Sequence, residues 1–248
     1  MIKLELPAKP AELTDELIRK LTAQYKTDGT AVWKRKFIEE AVSKIAFGKC
    51  IYSECKLNEE GKYMELDHFY PKGLFPDKVV EWGNLLPANK KCNTTKGNHN
   101  TLAEPIINPC ADDPKEHLYI SAYRFYPKTE IGKRTIAIVA LNDRQHFVDK
   151  RYRIGTTLSE LLSDLHDELH EDGEAILSNT IRRLRTLKKI KNLLNQATRE
   201  QEYAATLSTV ILTDECYPPI ERFLIANNLW DEEFAALKEE LIFCSLPK

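Results

Sequence analysis

The sequence predicts an α+β protein, mostly α-helical, around a small β-containing centre, and three observations predict it. Only 9 glycines occur in 248 residues, too few for a fold built on many tight turns. Apolar residues recur at helical spacing over residues 1–47 and again from Thr157 onward, the period of one helix face. Between them, from Gly48 to about Pro109, that period is lost and short segments alternate with Gly, Pro and Asn.

Taken in order, Leu13, Leu17, Leu21 and Tyr25, then Trp33, Phe37, Ala41 and Ile45, predict helices across residues 1–47, with Thr27–Thr30 as the turn. Tyr63, Glu65 and Asp67 alternate with Met64, Leu66 and His68, a short strand by its period of two. Pro71-Lys72-Gly73 and Phe75-Pro76 break it, and Asn93 is placed to cap a short helix through Lys96. Leu118–Tyr126 and Arg134–Leu141, rich in Ile, Val, Tyr and Ala, predict a pair of strands, with Lys128–Lys133 as the turn. From Thr157 the chain is expected to be helical, with interruptions at Glu171–Gly173 and at Pro218-Pro219. The expected organisation is N-terminal helices at 1–47, a central core at 48–110, and a hairpin plus helical region at 111–248.

Composition bounds the function. Hydrophobic residues at 42% and charged residues at 30% allow a buried core. A net charge of −2 argues against coating nucleic acid by bulk charge, while leaving room for a local basic groove. No stretch approaches the ~20 apolar residues of a membrane span, and the opening MIKLELPAKP carries no secretory signal. A soluble cytoplasmic protein with no membrane partner is expected, and in that compartment its six cysteines are expected to stay reduced. Cys216 and Cys244 read as ordinary core cysteines.

Charge is segregated late in the chain: Glu160–Glu174 carries seven acids and no Lys or Arg, and Ile181–Lys191 six bases and no acid. Ile181, Leu184, Leu187, Ile190 and Leu194 form an apolar stripe beneath the bases. Two facing helices that pair their charges are the simplest account. A basic face for nucleic acid or an acidic partner is one alternative, and a membrane-surface helix the other. The acidic and basic helices, and the C-terminal helix with Trp230, Phe234, Leu237 and Leu241, are candidate docking surfaces.

The chemistry concentrates in residues 49–97. Lys49-Cys50 and Cys55 come first, then Leu66-Asp67-His68-Phe69-Tyr70-Pro71-Lys72. Trp82-Gly83-Asn84-Leu85 follows, and Cys92-Asn93-Thr94-Thr95-Lys96-Gly97 closes the stretch. A neutral imidazole at His68 can take a proton from water near neutral pH. A hard cation that keeps several waters can be held by two oxygen donors, and Asp67 and Asn93 supply such donors.

In that order and spacing the stretch resembles the HNH endonuclease family, a ββα module that grips one divalent metal. The resemblance implies a metal-dependent phosphodiester hydrolase of DNA, RNA or tRNA, with His68, Asn84 and Asn93 catalytic, Asp67 and Asn93 on Mg²⁺ or Mn²⁺, and Lys96 on phosphate. Many members hold a structural zinc through two Cys-x-x-Cys knuckles. Here each knuckle lacks a thiolate, at Ser53 and Asn89. Cys50, Cys55 and Cys92 supply at most three sulfurs against the usual four ligands, so no structural zinc is expected. His99 is a competing final ligand.

Glu104–Pro109, Asp112-Asp113-Pro114, His117-Leu118, Leu141-Asn142 and Arg151 extend the resemblance to the PtuB family. These are the nuclease subunits of Septu-type and retron-associated anti-phage systems. That resemblance implies an ABC- or SMC-like ATPase partner, PtuA, and in the retron form a reverse transcriptase with its RNA and DNA. Two other readings remain at this point. One is a non-catalytic nucleic-acid-binding module on a decayed HNH fold. The other is a zinc peptidase suggested by His166 and His170, although Asp167 stands where the base Glu belongs and Glu168 falls one residue late.

Overall fold

The structure, a computed structural model, describes residues 1–59 and 63–248. It is α+β and mostly helical, as predicted, with two small two-stranded sheets among the described residues. The chain divides into two compact units. The first comprises Met1, Lys3–Tyr119 and Phe125–Phe147, and the second Ile2, Ile120–Arg124 and Val148–Lys248. Residues 48–110 lie wholly in the first unit, and most of 111–248 in the second.

In the first unit the helix expected from residue 1 starts only at Asp15. Pro7 and Pro10 bring no N–H to a helix, and the Leu4 N–H goes instead to the Pro109 carbonyl at 2.9 Å. Helix α1 (Asp15–Asp28) begins where the Thr14 hydroxyl accepts from the Leu17 N–H at 3.2 Å. It ends at Gly29, whose φ of 70° is the left-handed cap conformation that glycine adopts freely. Helix α2 (Lys36–Ile45) buries Ile38, Val42 and Ile45, so its core face is shifted one residue from the expected Phe37 and Ala41.

Strand β1 (Met64–His68) pairs antiparallel with β2 (Leu85–Asn89), setting Asp67 opposite Leu86 and His68 opposite Leu85. Helix α3 (Lys90–Lys96) follows β2 directly. It starts before the expected position, and its cap is Asn89, whose side-chain oxygen accepts from the Lys91 N–H at 2.9 Å. Asn93 therefore sits inside the helix.

The expected strand pair is also corrected. Leu118–Tyr126 folds back on itself as β3 (Leu118–Ser121) and β4 (Arg124–Pro127), after the single helical turn α4 (Pro114–His117). The turn is made by Ala122 and Tyr123, both at positive φ. The Arg134–Leu141 segment is largely helix α5 (Glu130–Ile138), started by the Thr129 hydroxyl accepting from the Gly132 N–H at 3.2 Å. Gly132 fits because a Cβ there would stand 2.1 Å from the His117 carbonyl oxygen.

The second unit is a helical assembly of α6 (Asp149–Ser178), α7 (Thr180–Asn195), α8 (Ala204–Thr213), α9 (Tyr217–Ala226) and α10 (Glu232–Cys244). No break occurs at Glu171–Gly173: α6 runs through it, and a Cβ on Gly173 would meet the Phe223 ring at 3.1 Å. Glycine at that point serves close packing. Pro218-Pro219 fall in the first turn of α9, where missing N–H groups cost nothing.

The core of this unit joins Leu158, Leu162, Leu165, Ile190, Leu194 and Phe234 among others. Of the stripe expected on α7, Ile190 and Leu194 are buried, but Ile181 and Leu184 are exposed. The segregated charges pair in part: Arg182 meets Asp172, and Lys189 meets Glu168 at 2.9 Å. Lys191 pairs instead with Asp231 and Glu233. Phe234 and Leu241 are fully buried, and Trp230 and Leu237 pack against the same core. Much of that apolar face of α10 is thereby spent on the core of its own unit. Cys244 is buried and Cys216 half-buried. Among the described residues no helix is long and apolar enough to cross a membrane.

Candidate functional site

Alternation along β1 sends Glu65 and Asp67 to one face and Met64, Leu66 and His68 to the other. The two members of the Asp-His pair therefore enter different surroundings.

His68 is buried with Trp33 edge-on to its ring, centroids 4.7 Å apart. One ring nitrogen, Nε2, lies 2.9 Å from the Val79 carbonyl oxygen. A carbonyl only accepts, so Nε2 carries the proton and Nδ1 keeps the lone pair. Burial, with the nearby Lys72 ammonium second, pushes the His68 pKa down from 6.5 to about 4. The ring is neutral at pH 7. Lys72 lies over the Trp33 ring at 5.1 Å. It is a cation beside the imidazole for which the sequence reading had no role, although it closes the Asp67–Lys72 run.

Asn84, fully buried, holds the loop that holds His68. Its Oδ1 accepts from the Tyr70 N–H at 2.6 Å, and its Nδ2 donates to the Tyr70 and Lys78 carbonyls at 3.1 and 2.8 Å. Lys78 precedes Val79, so Asn84 reaches the imidazole through the backbone.

Asp67 is closed off. Its Oδ2 accepts from the Tyr52 hydroxyl at 2.6 Å and its Oδ1 from the Lys96 ammonium at 2.9 Å, all three side chains buried. Burial, with the Asp67 charge second, pushes the Tyr52 hydroxyl well above its ordinary pKa, so it remains a donor. Lys96 also donates to the His68 carbonyl at 2.7 Å. In this position the ammonium that the sequence places on phosphate is bonded inside the fold. Asn93 donates from Nδ2 to the Glu65 Oε2 at 2.7 Å, and His99 is turned to the Glu104 carbonyl at 2.8 Å.

The expected metal pair, Asp67 with Asn93, does not fit a divalent ion as arranged. Both Asp67 oxygens are taken, one by a buried ammonium that would repel a second cation, and the carboxylate is buried away from the solvent that supplies the waters Mg²⁺ retains.

The sulfurs gather more closely than their spacing suggests. Cys50, Cys55 and Cys92 are all buried, and Ser53 donates from its hydroxyl to Cys55 Sγ at 3.3 Å and from its backbone N–H to Cys50 Sγ at 3.5 Å. Burial alone would raise the Cys50 thiol, but hydrogen bonds from Cys55, Cys92 and Ser53 hold it well below the ordinary range. Burial and the bond to Cys50 push Cys92 up. Asn89, standing where a knuckle thiolate would be, is occupied in capping α3. In the second unit, His166 bonds Asp167 at 3.1 Å and stacks on His170. Among the described residues no group of three or more His, Cys, Asp or Glu is disposed to hold a metal ion.

Two antiparallel strands running into a helix, with Asp67-His68 closing the first strand and Asn84 bracing the loop behind it, make this a ββα-module protein. No family model matches the chain. It is 36% identical to the Septu protein PtuB of Bacillus thuringiensis over 238 residues, covering 96% of this chain and 92% of that protein. It is 27% identical to the Septu protein PtuB of Bacillus mycoides (strain KBAB4) over 241 residues, covering 73% of this chain and 81% of that one. The chain belongs to the PtuB family.

Proposed function

We propose that this chain is an HNH endonuclease dependent on one divalent ion, Mg²⁺ or Mn²⁺. It hydrolyses phosphodiester bonds of DNA or RNA, tRNA included, as the effector of a Septu-type anti-phage complex. Its partner in this reading is a PtuA-like ABC or SMC-type ATPase, joined in a retron-associated form by a reverse transcriptase with its RNA and DNA. No structural zinc is part of it.

The observation that carries the reading is the state of His68: a neutral imidazole fixed in one tautomer by the Val79 carbonyl. In the proposed reaction Nδ1 takes the proton of the attacking water as its oxygen bonds to phosphorus. The bond from phosphorus to the departing oxygen breaks, and solvent protonates that oxygen. Lys72, beside the ring, is the ammonium placed to meet phosphate charge. Asn84 is a positioning residue, acting through the Lys78–Val79 backbone.

The second reading, a non-catalytic nucleic-acid-binding module, draws its support from the sealed Asp67–Lys96 pair. Cleavage of supercoiled plasmid, single strands and total tRNA in Mg²⁺ or Mn²⁺ separates the two. Replacing His68 with alanine is expected to lower the rate ~10²–10⁴-fold, with substrate binding retained. Survival of more than a tenth of the activity would remove His68 as the base.

A further inference from the structure

The α6–α7 hairpin satisfies only part of its charge internally. Asp172–Arg182 and Glu168–Lys189 cross the seam between the helices, and the Thr186 hydroxyl donates to Glu168 at 3.1 Å. Those contacts set the antiparallel register, with Glu171 about level with Leu184 and Arg185, and Asp167 with Lys188. The remaining charges face outward. On α6, Glu160, Asp164, Asp167, Glu171 and Glu174 recur three and four apart, an exposed strip opposite the buried Leu162, Leu165 and Leu169. On α7, Ile181, Leu184, Arg185 and Lys188 form a second exposed strip, away from the buried Ile190 and Leu193. Ile181 is 65% exposed and Leu184 60%, large apolar side chains that nothing in their own unit covers. Among the described residues Glu160, Asp164, Glu171 and Glu174 form no ion pair, and neither do Arg185 and Lys188. Asp167 meets its own neighbour, His166.

We propose that this two-strip face of the hairpin binds a second copy of the chain. Packed helices lie ~8–10 Å apart, about one Debye length at physiological salt. Acids that close to Arg185 and Lys188 repel a nucleic acid, an anionic membrane or a uniformly acidic protein. The same mosaic suits its own image. A two-fold axis parallel to the helices turns one hairpin over onto another and leaves heights along the axis unchanged. The α6 helix of each copy then lies over α7 of the other. Glu171 of each copy comes to Arg185 of the other and Asp167 to Lys188, while Ile181 and Leu184 leave water. The strips run ~20 Å along two helices. That is small for a dimer interface, so association is expected at ~10–300 μM.

The test is analytical ultracentrifugation of the full chain alone across that concentration range. Wild type is expected to dimerise at about 50 mM salt, and at least tenfold more weakly at about 500 mM. Two charge reversals, Arg185→Glu/Lys188→Glu on α7 and Asp167→Lys/Glu171→Lys on α6, are each expected to leave a monomer. Mixed in equal amounts they are expected to form a one-to-one dimer, since at those positions one hairpin is then acidic throughout and the other basic throughout. That recovery also shows that both variants are folded. A wild-type chain monomeric throughout, a dimer unmoved by either reversal, or a mixture that stays monomeric would overturn the proposal. So would a monomeric chain whose binding of an oligonucleotide is lost in Arg185→Glu/Lys188→Glu, which would give the face to nucleic acid. Cleavage plays no part in the readout, so the result is independent of the nuclease reading.

Discussion

At His68 the sequence and the fold make different demands on one ring. In the unfolded chain the imidazole titrates near its ordinary 6.5, but in the folded chain burial and Lys72 bring it to about 4. Between those values the unfolded state binds the additional proton, so acid favours unfolding. Above pH 6.5 both states are neutral and the penalty vanishes. As pH falls from 6.5 towards 4 it grows to about 3 kcal/mol. Urea titrations across that range are expected to show the loss, and His68→Gln is expected to remove most of this slope. An unchanged slope in the variant would assign the acid sensitivity elsewhere. The same depression predicts that kcat/KM for cleavage holds down to about pH 4 and shows no break near 6.5. That His68 is special was legible from the Asp-His pair and from Asn84 sixteen residues on. That Val79 and Trp33 define its state was not, because neither carries a motif.

Helix α3 is held to β1 by the Lys96–Asp67 pair, and what holds an element in place can be separated from what functions on it. Removing one member of a buried ion pair leaves a lone charge in a poorly solvated place, a loss typically of ~3–5 kcal/mol. Lys96→Met is therefore expected to destabilise the chain by about that amount in denaturant titrations. The double variant Asp67→Asn/Lys96→Met is expected to recover more than half of it. If the single variant were as stable as wild type, the pair would be incidental to the fold. Elements were legible where one local signal ruled: Thr14 before α1, Gly29 after it, and the alternation of β1. They were misread where a distant group decided. The Ile and Val content of Arg134–Leu141 favours a strand, but the Thr129 cap and the close approach of Gly132 to the His117 carbonyl make it helix α5. Gly173 looked like a break because the Phe223 ring that accounts for it lies fifty residues away in sequence. The Lys96–Asp67 contact was not legible for the same reason, since Asp67 is twenty-nine residues upstream.

On the scale of the whole molecule, most of the chain lies outside the ββα module, and much of that surplus builds a second unit with its own core. A catalytic module of this kind does not need that unit for its chemistry. The overall charge of −2 also gives little general attraction to polyanions, whose binding comes mainly from Lys and Arg neutralising phosphates. Several of the late basic residues are already committed, Arg182, Lys189 and Lys191 to carboxylates within their own unit. On the proposed nuclease reading, a chain that attracts its substrate weakly, and that would damage its own cell if it acted alone, is expected to work where a partner delivers substrate and restrains it. Within the proposed Septu function that partner is a PtuA-like ATPase. Co-expression of the two is expected to give one species eluting earlier than either chain on size-exclusion chromatography. Cleavage by the isolated chain is expected to fall at least tenfold below that of the assembly at equal concentration. A chain that elutes apart from the ATPase and cuts as well alone as in its presence would end the partner hypothesis, and would leave the second unit as a scaffold for the first.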